Sequence, residues 1–220
     1  MGRVIVLFGA PGSGKGTQGE MLEKQFGLPR VSTGDLFRAL PDEGAGKEIQ
    51  ELMAHGSLVP DEKVIELLKQ ELAKSAYENG FILDGFPRTV PQAKALDALL
   101  AELNQALEAV VYLDASEAEI KRRLGGRWTC RECNKIYNFR GKPAAECSEC
   151  GGALYQREDD TPHGIEQSLR TYRQKTAPLI NYYQGKGVLR KVAVPDRAQK
   201  EDVFKLVLKQ LGAGTENKRK

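Results

Sequence analysis

The stretch of sequence that decides the fold is Val4-Ile5-Val6-Leu7-Phe8, which runs directly into Gly9-Ala10-Pro11-Gly12-Ser13-Gly14-Lys15. The first five residues are apolar and mostly β-branched, which is typical of a parallel strand buried on both faces. The glycines that follow let consecutive backbone N–H groups turn inward, and a helix is expected to open at the lysine. A strand, a glycine-rich loop ending in lysine and a helix, in this order, predict a P-loop that holds the phosphates of a nucleoside triphosphate.

The P-loop also indicates which residues should contact the triphosphate. Lys15 supplies a positive charge to the β- and γ-phosphates, and the backbone around it supplies N–H donors. The expected set is Gly12, Ser13, Gly14, Lys15, Gly16 and Thr17. A P-loop usually has Ser or Thr directly after the lysine. This chain has Gly16 there, so contact of Thr17 with a metal ion, direct or through water, is left open. A P-loop alone also does not separate a kinase from a switch GTPase or an ATPase.

Three further apolar runs repeat the pattern of the first strand: Phe81-Ile82-Leu83, Val110-Val111-Tyr112-Leu113 and Val188 to Val194. Segments with apolar residues at helical spacing separate them, and Ser116-Glu117-Ala118-Glu119 predicts a capping box at the start of one helix. Alternating strands and helices predict a parallel sheet with helices on both faces.

Two segments interrupt this alternation. Residues 34–60 have little apolar periodicity and many glycines, and residues 125–162 contain the cysteines and look like a loop-rich module. Long insertions in a compact α/β core usually form lids or binding loops. We therefore expect both segments to cover the ligand site.

The composition describes an ordinary globular protein. The chain has 220 residues, of which 40% are hydrophobic and 29% charged, and its net charge is only +3. This length fits one domain, or one core with inserted subdomains. So slight a charge gives no reason to expect nucleic acid or a membrane as a partner. The apolar run at Val4–Phe8 is too short for a signal peptide or a membrane span, so we expect a cytoplasmic protein.

The four cysteines form two Cys-x-x-Cys pairs, Cys130 with Cys133 and Cys147 with Cys150, separated by 13 residues. Four thiolates at this spacing fit the tetrahedral geometry of Zn²⁺. Disulfides are disfavoured in a cytoplasmic chain, and the segment is too polar to bury four free cysteines. We therefore predict a structural zinc site that stabilises a module too small for a core of its own. Iron in the same site is the alternative.

Two segments place an arginine just beyond the end of a predicted strand. Arg38 lies in Ser32-Thr33-Gly34-Asp35-Leu36-Phe37-Arg38, and Arg88 lies in Asp84-Gly85-Phe86-Pro87-Arg88-Thr89. Ligands of α/β proteins bind at the carboxyl ends of the strands, and a guanidinium group donates two parallel hydrogen bonds to a phosphate. The pair predicts a second site, for a singly phosphorylated acceptor, whereas a lone arginine would also fit a solvent-exposed position.

Together these segments resemble those of a bacterial adenylate kinase with a zinc-binding lid. The resemblance extends over essentially the whole chain and rests on GAPGSGKGTQ (9–18), STGDLFR (32–38), DGFPRTVPQA (84–93), RLGGR (123–127), REDD (157–160) and TAPLINYY (176–183). It implies an α/β fold of the P-loop nucleoside monophosphate kinase type, a five-stranded parallel sheet flanked by helices with two inserted subdomains. The implied division is a core of residues 1–33, 61–124 and 163–220, an AMP-binding flap at 34–60 and a zinc-holding lid at 125–162.

The same resemblance implies a reaction and the residues that perform it. Members of this family transfer a phosphoryl group reversibly from Mg·ATP to AMP, giving two ADP, mostly as monomers. The implied AMP-binding residues are Thr33, Arg38, Gly85, Arg88 and Gln92, and Arg123 and Arg127 join the P-loop at ATP. The implied catalytic residues are Lys15, Arg88, Arg123 and Arg157, and those associated with Mg²⁺ are Asp84, Asp159 and Asp160. Gln92 is expected to read adenine, because an amide offers both a donor and an acceptor to a base edge. The alternative for the two adjacent aspartates is a hinge or a helix cap.

The chain departs from the family pattern at Ser168, where an arginine usually precedes the leucine equivalent to Leu169. Arg170 and Arg173 lie nearby, but on a helix of 3.6 residues per turn they point elsewhere, so we expect one phosphate clamp to be missing or relocated. Two alternative functions stay open. One is a kinase for another nucleoside monophosphate, which differs only at the base pocket. The other is a nucleotide binder whose kinase activity has decayed.

Overall fold

The computed structural model describes residues 2–139 and 141–213. Its strands are β1 (Gly2–Phe8), β2 (Arg30–Ser32), β3 (Gly80–Asp84), β4 (Gln105–Ala115), β5 (Arg127–Cys130), β6 (Ile136–Asn138), β7 (Leu154–Tyr155) and β8 (Leu189–Val194). Its helices are α1 (Lys15–Phe26), α2 (Thr33–Arg38), α3 (Gly44–Ala54), α4 (Asp61–Leu72), α5 (Val90–Glu102), α6 (Glu117–Gly125), α7 (Pro162–Thr171), α8 (Leu179–Gly185) and α9 (Lys200–Gln210). A π-helical turn, Tyr172–Thr176, follows α7. The described residues form a five-stranded parallel sheet in the order β2-β3-β1-β4-β8, which confirms the predicted α/β fold.

The carboxyl ends of the central strands meet at one edge of this sheet. Leu7 of β1 pairs with Asp84 of β3, and Phe8 pairs with Tyr112 of β4. The chain leaves β1 at Gly9, so the P-loop lies between the ends of the strands on either side, where α/β folds bind their ligands.

Two apolar layers cover the faces of the sheet, and alternate residues of β1 divide between them. Val4, Val6 and Phe8 pack with buried residues of α4, α5 and α8, whereas Ile5 and Leu7 pack with α1 and α9. The five residues are all buried, which explains why β1 reads as a continuous apolar run rather than an alternating one.

Helices α5, α6 and α7 each begin at a residue whose side chain caps the helix N-terminus. Thr89 caps α5 and Thr161 caps α7, and in both helices a proline occupies one of the first two positions, where no N–H is needed for the helix. Pro162 therefore suits the start of α7. Ser116 caps α6 by accepting a hydrogen bond from the N–H of Glu119 at 3.1 Å. The Glu119 carboxylate, however, binds two arginines instead of closing the capping box.

Residues 34–60 are more regular than their glycine content indicates. Helices α2 and α3 occupy most of them, and Phe37 and Ile49 are buried in the larger apolar layer. These helices have six and eleven residues, so few apolar positions define a periodicity, and tertiary packing rather than propensity stabilises them.

Residues 125–162 contain a separate three-stranded antiparallel sheet in the order β6-β5-β7. Its strands have two to four residues, and sheets this small need a further source of stability. Within the described part of the chain, no helix is both long and apolar enough to cross a membrane.

Candidate active site

The ammonium group of Lys15 lies inside the P-loop. Its Nζ donates to the carbonyl oxygens of Gly9 and Ala10, both at 2.9 Å. Desolvation in the cleft lowers the pKa of Lys15 to about 8, while the charge of Asp84 opposes this shift. Gly14, which has no side chain, stands at the N-cap of α1, so the first N–H groups of the helix are left for a ligand. The loop therefore presents a cation and backbone donors to the same point.

A glycine with positive φ lies among the residues that the sequence predicts to bind the acceptor. Gly85 has φ of +83°, and a Cβ here would lie 2.9 Å from Oγ1 of Thr33. Nε of Arg88 donates to the Gly85 carbonyl oxygen at 2.8 Å. The Arg88 side chain stays open to the cleft, and desolvation by the cleft walls lowers its pKa. The peptide bond between Phe86 and Pro87 is cis.

Arg38 reaches this region from α2 and is held by a chain of ion pairs. Its Nη2 donates to Asp35 at 2.6 Å. Asp35 also accepts from Arg30 at 3.3 Å, and Arg30 donates to Asp84 at 3.4 Å. The chain links α2, which lies in the flap segment, to the end of β3 beside the P-loop.

Gln92 is buried, and hydrogen bonds engage both ends of its amide. Oε1 accepts from the backbone N–H of Arg88, and Nε2 donates to Oδ1 of Asp61, both at 2.7 Å. These bonds leave one N–H and one lone pair of the amide for other partners. Gln92 and Thr33 line a slot of about 20 Å³ beside the main cleft, room for about one water molecule. The slot is too small for a nucleobase in this conformation.

Two arginines approach the P-loop from α6 and β5. Nη1 of Arg123 donates to the carbonyl oxygen of Ser13 at 3.0 Å. Arg127 makes two hydrogen bonds to the buried carboxylate of Asp160, at 2.7 and 2.6 Å. Each guanidinium group is thus fixed in orientation before any ligand binds.

Arg157 enters the cleft from beyond β7 and has other arginines as neighbours. Its Nε donates to Oγ1 of Thr129 at 3.1 Å. Burial lowers the pKa of Arg157 to about 10, and the charges of Arg127 and Arg38 add to this shift. Because like charges gathered in one cleft repel each other, the arrangement favours a ligand with several negative charges.

These groups open into one cleft of about 1570 Å³. Its lining includes Lys15, Arg38, Arg88, Arg123, Arg127 and Arg157. Single small-molecule sites usually measure about 300–1,000 Å³, so this cleft has room for two nucleotides. Ile136 of β6 lies over the P-loop, since a Cβ at Gly16 would be 3.9 Å from its Cδ1.

The three aspartates predicted near Mg²⁺ occupy different positions. Asp84 and Asp159 line the cleft. Asp160 is 2% exposed, its pKa is raised by burial, and it holds Arg127. Asp84, with Thr17 also in the lining, offers the oxygen donors that Mg²⁺ prefers, so these residues fit a hydrated ion bound beside phosphates.

The four cysteines are free thiols whose sulfur atoms form a cluster. Sγ of Cys130 lies 3.5 Å from Sγ of Cys150, that of Cys133 lies 3.6 Å from that of Cys147, and all four lie within 4.8 Å of one another. Four sulfur atoms at about 2.3 Å from one ion would be about 3.8 Å apart. The cluster therefore fits a tetrahedral metal ion, and the hydroxyl of Tyr137, 3.1 Å from Sγ of Cys147, adds a hydrogen-bonding partner.

Ser168 faces the cleft at the position where the resemblance implies an arginine. It is 9% exposed and belongs to the lining. Arg170 and Arg173 are not among the described residues that line the cleft, and Arg173 instead pairs with Glu117 at 2.8 Å. Neither nearby arginine replaces the missing one.

Sequence reasoning missed several residues that hold the arginines in place. Asp35 stands three residues before Arg38, and Glu119 stands four residues before Arg123. These spacings mark ion pairs on helices, so the sequence carried that signal. Asp61 comes from a distant segment, and no local pattern indicates its contact with Gln92.

The fold, with a P-loop on one side of the cleft and Arg38 and Arg88 on the other, is that of a P-loop nucleoside monophosphate kinase. The family model described as "Adenylate kinase" matches residues 7–188. The chain therefore belongs to the adenylate kinase family.

The chain is also similar in sequence to curated adenylate kinases over most of their length. An adenylate kinase of Thermodesulfovibrio yellowstonii is 45% identical over 194 residues, which cover 86% of this chain and 90% of the relative. One of Caldicellulosiruptor bescii is 44% identical over 213 residues, 94% and 98% of the two chains. One of Archaeoglobus fulgidus is 45% identical over 190 residues, 84% and 88% of the two chains.

Proposed function

We infer that this protein is an ATP:AMP phosphotransferase, which moves a phosphoryl group reversibly from Mg·ATP to AMP, gives two ADP and so balances the adenine nucleotides. The activity follows from family membership. One structural observation supports it: the P-loop with Lys15, and the arginine pair Arg38 and Arg88, open into the same cleft. Phosphoryl transfer has a loose transition state with charge spread over the phosphoryl oxygens, so catalysis consists mainly of positioning and charge stabilisation. The cleft supplies cations for both without a general base.

On the ATP side, the proposed contacts are the P-loop residues Gly12, Ser13, Gly14, Lys15, Gly16 and Thr17 together with Arg123 and Arg127. The contact of Arg123 with the P-loop backbone supports this assignment, because that guanidinium borders any phosphate in the loop. Lys15, Arg88, Arg123 and Arg157 are the proposed catalytic residues, since each adds charge where the transferring group would carry it.

On the AMP side, the proposed contacts are Thr33, Arg38, Gly85, Arg88 and Gln92. The two arginines approach from α2 and from the segment after β3, so a monophosphate between them would receive donors from two directions. The unused N–H and lone pair of the Gln92 amide suit the edge of adenine.

Mg²⁺ is proposed to bind near Asp84, with Asp159 and Thr17 beside it. When bound, the ion would supply positive charge that offsets the charge developing on the phosphates. For Asp160 the contacts favour the orienting role, because both of its carboxylate oxygens accept hydrogen bonds from Arg127.

Residues 125–162 are proposed as a lid held by Zn²⁺ at Cys130, Cys133, Cys147 and Cys150. The sulfur cluster supports a structural ion, with iron as the alternative that the same ligands admit. The lid and the AMP-binding flap, residues 34–60, would close over both nucleotides to exclude water.

We propose hinges for this closure near residues 115–125 and 160–165. The core comprises the remaining segments, 1–33, 61–124 and 163–220.

We propose that the protein works as a monomer in the cytoplasm and has no nucleic-acid or membrane partner. Four free thiols suit a reducing compartment. The net charge of +3 gives no large field that would attract nucleic acid or an anionic membrane.

The test is transfer of phosphate from Mg·ATP to AMP, GMP, CMP and UMP by the zinc-loaded protein. Lys15→Ala serves as the blank. Arg88→Ala is compared with Arg190→Ala, a matched control whose arginine contacts backbone carbonyl oxygens beside β8. We expect transfer to AMP, strong loss in Arg88→Ala and normal rates in Arg190→Ala. Transfer to another monophosphate would overturn the role of Gln92, and nucleotide binding without any turnover would favour a decayed kinase.

A further inference from the structure

Glu119 has a buried carboxylate, and none of the roles proposed above involves it. It is 2% exposed. Its two oxygens accept hydrogen bonds from Nε and Nη2 of Arg122, both at 2.7 Å, and Oε1 also accepts from Nε of Arg123 at 2.7 Å. Burying a carboxylate is costly unless donors satisfy it, so this arrangement depends on all of these contacts being made together.

Arg123 stands between this carboxylate and the P-loop. Its Nε donates to Glu119, and its Nη1 donates to the carbonyl oxygen of Ser13 at 3.0 Å. A Cβ added to Gly14 would lie 3.4 Å from the same Nη1. Two contacts at different edges fix both the position and the plane of the guanidinium group. Its remaining N–H groups are left for a ligand in the cleft, which Arg123 lines.

Hydrogen bonds also keep this carboxylate charged. The pKa of Glu119 is lowered to about 2, chiefly by hydrogen bonds from Arg122 and Arg123. The carboxylate is therefore ionised at neutral pH, and its ion pairs with both arginines persist there.

We propose that Glu119 is a positioning residue for ATP, which holds the Arg123 guanidinium against the P-loop. The inference rests on the placement of Arg123 at ATP proposed above. The AMP-side residues Arg38 and Arg88 make their contacts elsewhere. Loss of the carboxylate should therefore weaken the binding of ATP and leave the binding of AMP unchanged.

The experiment compares steady-state kinetics of Glu119→Gln, Glu119→Asp, Arg123→Lys and the double variant Glu119→Gln/Arg123→Lys, with each substrate varied in turn. Glu117→Gln is the matched control, because Glu117 lies on the same helix but is half exposed and pairs with Lys121 and Arg173. We expect KM for ATP to rise about tenfold in Glu119→Gln, since an amide makes weaker bonds to guanidinium than a carboxylate does. KM for AMP should not change, and Glu119→Asp, which keeps the charge, should recover part of the loss.

The double variant separates positioning from a merely structural role. If Glu119 acts through Arg123, Glu119→Gln raises KM for ATP much less in the Arg123→Lys background than in the wild-type protein. Additive effects, or equal rises in KM for both substrates, would overturn the inference. If Glu119→Gln does not fold, Glu119→Asp carries the same test of KM for ATP against KM for AMP. An Arg123→Lys variant with normal KM for ATP would instead refute the proposed ATP-side role of Arg123, whatever the Glu119 variants do.

Discussion

Gly56 and Ser168 are in direct contact where the flap segment meets α7. A Cβ added to Gly56 would lie 2.6 Å from Oγ of Ser168 and 3.0 Å from its backbone nitrogen. Gly56 has φ of +68°, and both residues line the cleft. The flap can lie this close to α7 because neither position carries a large side chain. A longer side chain at position 168 must therefore extend away from Gly56 and into the cleft that both residues line.

The first prediction concerns the arginine that is missing at this position. We expect Ser168→Arg to raise the rate of ADP formation about tenfold, because a charged hydrogen bond to phosphate contributes about 1.5–3 kcal/mol. Ser168→Met is the matched control, which adds length without charge and should not raise the rate. The measurement is kcat for ADP formation at saturating Mg·ATP and AMP. An unchanged kcat in a folded Ser168→Arg variant would mean that another residue already supplies the clamp.

The second prediction concerns the flap contact itself. We expect Gly56→Ala to raise KM for AMP severalfold and to leave KM for ATP nearly unchanged, because the new Cβ pushes the flap away from α7. Gly27→Ala is the control, since Gly27 has a similar φ of +66° and no other described atom within 4 Å of the added Cβ. Both variants carry the backbone cost of alanine at positive φ. Equal behaviour of the two would show that backbone strain, and not the contact with Ser168, is responsible.

The third prediction follows from the lowered pKa of Lys15. The pKa is about 8 in the nucleotide-free protein, against an ordinary value of 10.5, and phosphate oxygens favour the charged form. ATP binding should therefore take up protons near pH 8, and affinity should fall as pH rises through that value, by at most about tenfold per pH unit. Titration calorimetry in buffers of different ionisation enthalpy measures the uptake directly. Lys15→Arg, which stays charged over this range, should lack the dependence, and a wild type without proton uptake near pH 8 would contradict the prediction.

The fourth prediction concerns the cysteine cluster. Removal of the metal with a chelator should lower the thermal midpoint of residues 125–162 and abolish transfer to AMP, while ATP analogues still protect the core, because the small sheet lacks a core of its own. Cys147→Ser should behave like the metal-free protein, whereas Ala145→Ser, in the same loop, should retain the metal. Elemental analysis of the purified protein gives the ion and its stoichiometry. One zinc ion per chain is expected. One iron ion per chain would instead show that the structural ion is iron.

Much of the core could be predicted from local sequence patterns, because each of these patterns involves residues that are close together in the chain. The apolar run of β1, the glycine spacing up to Lys15 and the two cysteine pairs each specify a local conformation or a ligand set. The flap segment was harder to read, because α2 and α3 are too short for apolar spacing to reveal them and are stabilised by burying Phe37 and Ile49 in the shared core.

The sequence by itself determined the alternating strands and helices of the core, the P-loop and the set of cationic residues that line the cleft, since side-chain chemistry and spacing are local properties. Only the tertiary structure decided which carboxylates from distant segments hold Arg127 and Gln92. Asp160 binds Arg127, and Asp61 binds Gln92, across 33 and 31 positions of the chain. Folding chooses among several acidic residues by burial and distance, because an ion pair is strong only where water is excluded and the geometry is fixed. The contact between Gly56 and Ser168 has the same origin, since it exists only once α3 and α7 have packed at the cleft.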